Sequence, residues 1–120
     1  MARVLVAAQT LPGSYPTLPV TPGSNLSEQA VDPGLGNYTP LVSGKTVVLV
    51  HNTNVGAQTI TFTSIADTFG RTGDITAYSL SAGAQRFFGP FQATGWSQSG
   101  SQLWFTGSDA SVKVAVITLS

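Results

Sequence analysis

From Gly44 onward, apolar residues stand at alternate positions or in short unbroken runs, and turn residues interrupt them about every ten positions. A period of two is the pattern of strands, whose successive side chains point to opposite faces. The run 45–51 is apolar on both faces in its middle, as a strand inside a sandwich is, and Asn52-Thr53-Asn54-Val55-Gly56 ends it. The run 58–64 alternates cleanly, with Ile60 and Phe62 on one face and Thr59, Thr61 and Thr63 on the other. Further strands are predicted at 75–80, 85–91, 102–106 and 111–119, with a hairpin-type connection at Ser99-Gly100-Ser101. Val48, Val50, Ile60, Phe62, Ile75, Val114 and Val116 are the expected core. No segment longer than a turn has an apolar period of 3.6, so the fold class is all-β. The expected architecture is a single antiparallel β-sandwich or jelly-roll-like barrel with an extended Pro-rich N-terminal arm.

The pattern changes near residue 40. Six of the seven prolines lie at or before it, interleaved with Gly13, Gly23, Gly34 and Gly36. Proline fixes φ and removes an amide donor, so 11–23 can be neither helix nor central strand. It reads as a stiff extended arm whose apolar side chains, Leu11, Tyr15, Leu18 and Val20, need covering by this domain or by a neighbouring subunit. Before the arm, Arg3-Val4-Leu5-Val6-Ala7 has the content of a short strand; after it, 25–31 suits either a strand or one helical turn. The chain divides on this reading into 1–40, N-terminal strand and arm, and 41–120, the antiparallel β-domain.

Composition narrows the function. The 120 residues suffice for one domain with a real core, and the absence of Cys means that no disulfide contributes. Five Lys and Arg against five Asp and Glu leave no excess cation for a phosphate backbone, so nucleic acid is not an expected partner. No apolar run approaches the roughly 20 residues of a membrane helix, and the N-terminus turns polar at Gln9 before a signal-peptide core forms. Only 8% of residues are charged, against about 25% in an average domain. A surface of hydroxyls and amides resists self-association weakly and suits packing against other subunits, although secreted β-proteins share this composition.

Catalytic chemistry finds little material. There is no Cys, and the one histidine, His51, closes an apolar strand, where a structural hydrogen bond is its expected role. Asp32, Asp67, Asp74 and Asp109 adjoin turn residues, where Asp binds nearby backbone amides. No pair among His51, Glu28 and the aspartates has a metal-ligand spacing, so no metal, cofactor or enzymatic activity is expected. Two sequons, Asn25-Leu26-Ser27 and Asn37-Tyr38-Thr39, match a pattern that a Ser/Thr-rich chain produces by chance. Trp96, Trp104, Tyr78 and Phe91 offer a stacking platform for sugar rings; alternation counts against Trp104, because one face of Leu103-Trp104-Phe105 must be core, and leaves Trp96 the freer ring.

The segments Gly36–Pro40, Gly44–Thr53 with its Val-His-Asn-Thr end, Thr59–Ser64, Gly70–Tyr78, the Phe87-Phe88-Gly89-Pro90-Phe91 turn, Gly95-Trp96 and Ala115–Leu119 together resemble small cysteine-free β-proteins of tailed-bacteriophage virions. The likeness covers roughly residues 36 to 119 and is greatest to head decoration, or capsid cement, proteins. It implies a non-enzymatic protein on the capsid exterior whose partners are the major capsid protein and copies of itself, a trimer being the favoured oligomer. The matched motifs carry no catalytic residues. The alternatives are a carbohydrate-binding β-sandwich module and a tail or fibre component.

Overall fold

A computed structural model describes residues 3–10, 28–66 and 69–119. Its strands are β1 (Val4–Leu5), β2 (Ala8–Thr10), β3 (Gln29–Ala30), β4 (Asn37–Pro40), β5 (Thr46–Asn52), β6 (Gln58–Thr63), β7 (Ile75–Leu80), β8 (Gln85–Phe91), β9 (Gln102–Gly107) and β10 (Val112–Thr118). The four-residue element α1 (Ala93–Trp96) is a bent turn, since Thr94 and Gly95 leave helical φ/ψ within it. The six strands expected after Gly44 are all present, with no end shifted by more than one residue.

The strands form two sheets, ordered β1-β4-β9-β6-β7 and β2-β10-β5-β8, with β3 also pairing β10. They pack as an all-β sandwich. Both sheets are mixed: β1 runs parallel to β4 and β2 parallel to β10, whereas the remaining ladders are antiparallel. Strands on both sides of residue 40 therefore share the same two sheets, and Val6, between β1 and β2, is in the core. Of the ambiguous segment 25–31, the described part is the two-residue strand β3 followed by buried Val31.

Packing follows the alternation. Val48, Val50, Ile60, Phe62, Leu103, Phe105, Val112, Val114 and Val116 are fully buried between the sheets. The Phe62 ring lies 4.9, 5.2 and 5.7 Å from the rings of Phe88, Phe91 and Phe105. Ile75, expected in the core, is only half-buried, because it opens an edge strand, β7, most of whose residues are exposed. Leu49 and Ala115, cross-strand partners between core valines, are buried on the opposite face of their sheet.

Two buried polar groups in β4 behave oppositely. Asn37 donates to the Val4 carbonyl and accepts from the Asp32 amide, so this sequon asparagine is a structural tie with no exposed amide. Thr39 Oγ1 is buried without a hydrogen-bond partner among the described residues. An unpaired buried hydroxyl costs free energy that a methyl group does not. Thr39→Val is accordingly expected to raise unfolding stability by about 1 kcal/mol, measured by urea denaturation.

Candidate functional site

The arm residues singled out for partner binding, Leu11, Tyr15, Leu18 and Val20, lie outside the described residues. The structure defines the chain on either side of them. β2 aligns Ala8 with Val116 and Thr10 with Thr118, while β3 aligns Gln29 with Val114 and Ala30 with Lys113. Because β5 occupies one edge of β10 along its whole length, β2 and β3 share the other edge. Thr118 and Val114 are four residues apart, so the chain leaves and re-enters the sheet roughly 13 Å apart along that edge. The intervening residues 11–28 have enough length to span ~60 Å when extended. The Pro-rich segment is thus an insertion held at both ends by the sandwich.

Side chains fasten its return end. Gln29 Nε2 donates to the Leu5 carbonyl at 2.9 Å, tying β3 to β1. The Glu28 carboxylate lies 3.2 Å from His51 Nδ1, both side chains half-buried. This contact is the structural hydrogen bond expected of a strand-end histidine, and it engages His51 with the base of the arm.

The carboxylates sort as their turns dictate, with one exception. Asp32 Oδ1 accepts from the Gly34 and Leu35 amides, and Asp109 Oδ2 from the Ser111 amide. Asp74 reaches further, accepting from the Ser64 amide at 2.9 Å and the Ser64 hydroxyl at 2.6 Å, while the Ser64 hydroxyl accepts from the Gly73 amide. Ser64 therefore donates its hydroxyl hydrogen bond to the Asp74 carboxylate, an arrangement that pins the loop before β7. Asp67 lies outside the described residues. Among the described residues no three His, Asp or Glu side chains are grouped to hold a metal ion, and no helix is long and apolar enough to cross a membrane.

The Ser64 hydroxyl, then its amide, hold the Asp74 carboxyl below its ordinary 3.8, and the Ser111 hydroxyl and amide do the same for Asp109. A carboxyl that titrates lower folded than unfolded stabilises the fold while ionised. That stability is complete above the unfolded value and is lost as pH falls through the folded one. The urea midpoint is therefore expected to drop as pH is lowered below about 4, and Asp74→Asn to flatten that acid limb.

The aromatic residues occupy unlike positions. Trp96, expected to be the freer of the two tryptophans, is half-buried like Trp104 and lies edge-on to Phe91 with ring centroids 5.0 Å apart. It lines a cleft of about 270 Å³ with Ser64, Ile65, Arg71, Thr72 and Gly73. Tyr78 is edge-on to Phe88 at 5.2 Å. Trp104 falls the other way from the expectation: Leu103 and Phe105 are the core residues of β9, which turns Trp104 outward.

That outer face is ordered. Register places Leu5, Tyr38, Trp104 and Thr63 in one row across β1, β4, β9 and β6, and Thr106 beside Thr61 in the next. Arg3, two residues before Leu5, lays its guanidinium over the Trp104 indole, 4.7 Å from the ring centroid. Its Nη1 donates to the Asn37 and Phe105 carbonyls at 3.3 Å and to Thr106 Oγ1 at 3.4 Å. Gly36, at φ +77°, makes room for this, since a Cβ there would strike the guanidinium. Partial burial lowers the Arg3 pKa, and the group stays charged. Neither Arg3 nor Tyr38 is marked as a site residue by the sequence, since their only local signal is alternation with buried neighbours.

No protein family, curated protein or solved structure matches this chain.

Proposed function

We propose that the protein is a non-enzymatic structural component of a phage virion, a decoration or cement protein that binds the capsid exterior and stabilises the lattice. The observation that carries this reading is the Pro-rich insertion held at both ends by β2 and β3 on one edge of β10. A segment with the uncharged, apolar composition of 11–23 clamped to a rigid sandwich has the form of a clip. Its apolar side chains contribute by leaving water across a subunit boundary, at roughly 25 cal/mol per Å². Repetition of weak contacts over a lattice adds by avidity. The partners on this reading are the major capsid protein and copies of the chain itself, with a trimer favoured. Sparse charge and the outward-facing Leu5, Tyr38 and Phe87 support a life among subunits.

The test is a cryo-EM difference map between particles made with and without the gene, together with mass spectrometry of purified virions. The expected result is added density on the outer capsid surface at lattice-symmetric positions. Density confined to the tail points instead to a tail or fibre component, and a chain absent from virions overturns the reading.

A further inference from the structure

We propose that the outer face around Arg3, Tyr38 and Trp104 is a docking site for an acidic polypeptide segment, in which a Glu or Asp carboxylate of the partner pairs with the Arg3 guanidinium. The choice of a protein partner rests on the virion reading above; the carboxylate chemistry stands on the geometry.

Among the described residues the Arg3 side chain makes three hydrogen bonds, all from Nη1 and all long, at 3.3–3.4 Å. Nε and Nη2 make no hydrogen bond among the described residues, and no carboxylate there pairs with the group. A guanidinium is a fork of donors matched to the two oxygens of a carboxylate. Here one side of the fork is held by β4 and β9, and the indole of Trp104 backs its plane. Partial removal from water without an anion is a cost that a partner's carboxylate offsets. The residues that register places in these two rows, Leu5, Tyr38, Trp104, Thr63, Thr106 and Thr61, are all uncharged, and Arg3 contacts Trp104 and Thr106 among them. A single fixed cation in a neutral field selects a single anion.

The surroundings indicate what carries that anion. Leu5, 47% exposed, and half-buried Tyr38 stand beside it, an aliphatic and an aromatic anchor of the kind that fill protein interfaces. A sugar ring would need an open aromatic face, and Arg3 lies over that of Trp104. An acidic residue flanked by apolar ones fits both features.

The test titrates the intact protein with a pentapeptide carrying one glutamate between two leucines, with its glutamine counterpart, and with free glucuronate. The indole N–H of Trp104 is followed by NMR and assigned by its loss in Trp104→Phe. The expected result is a saturable shift of that signal by the glutamate peptide and at least tenfold weaker binding of the glutamine peptide. Arg3→Lys, which keeps the charge but loses the fork, is expected to bind the glutamate peptide about tenfold less tightly than the native chain. Equal binding of the two peptides, tighter binding of glucuronate, or no movement of the Trp104 signal overturns the proposal without any variant having to fold. A particle measurement separates it from the virion reading. Arg3→Lys protein that attaches to capsids as the native chain does overturns the docking site and leaves the virion role intact.

Discussion

Replacing residues 11–23 by a short Gly/Ser linker is expected to leave the sandwich folded and, on the proposed virion role, to reduce capsid attachment by about a hundredfold. The replacement keeps the described contacts on both flanks of the segment. β2 ends at Thr10 and β3 begins at Gln29, so both ladders to β10 survive, as do the Glu28–His51 contact and the Gln29–Leu5 bond. Cutting from the N-terminus instead would remove Val6 from the core and Arg3 from Trp104, confounding attachment with unfolding. Shortening a loop whose ends are already fixed changes closure entropy by only a few tenths of a kcal/mol to about 1 kcal/mol, so the melting temperature should barely move. What is lost is the apolar surface of Leu11, Tyr15, Leu18 and Val20. Tyr15→Ala should account for a large share of it, since buried aromatic anchors dominate interface energies. Co-sedimentation of the purified variants with particles lacking the native protein measures attachment, and circular dichroism confirms the fold. Full attachment of the linker variant would remove the arm from any role in binding.

Phe62→Ala is expected to destabilise the domain by about 3–5 kcal/mol, a large part of the stability of a chain this size. Phe62 sits in β6 between two neighbouring strands, fully buried, and its ring touches aromatic rings from both sheets: Phe105 in its own, Phe88 and Phe91 in the other. Removing it leaves a cavity lined by rings from two strands in opposite sheets, Phe105 in β9 and Phe88 and Phe91 in β8, which cannot collapse to fill it. Phe87, 70% exposed on the edge strand β8, is the control. Phe87→Ala should change stability by less than about 0.5 kcal/mol. Urea unfolding followed by far-ultraviolet circular dichroism gives both values.

The strands after Gly44 were legible because alternation is a property of consecutive residues. Ile60 and Phe62 must share a face wherever β6 lies, and the doubly apolar middle of β5 marks a strand covered on both faces. The turn role of Asp32 and Asp109 is equally local, since each carboxylate meets amides two or three residues ahead. Of the short strands, β1 was legible in the β-branched run 3–7, but β2 and β4 were not. Asn37–Pro40 and Ala8–Thr10 have no pattern of their own and become strands because β9 and β10 offer edges some sixty to a hundred residues away. Alternation showed that Leu103 and Trp104 face opposite ways, but not which way is inward; that follows from the sheet on which β9 packs. Likewise the prolines identified 11–23 as an extended segment, while only the pairing of both flanks with one edge of β10 made it an insertion fixed at two ends. Arg3 became part of a site through contacts with β4 and β9, more than thirty and a hundred residues distant. Local chemistry determines the long strands and the turns; the short edge strands, and the partner, register and outward face of every strand, depend on contacts between distant segments, and those are set only when the whole chain buries its core.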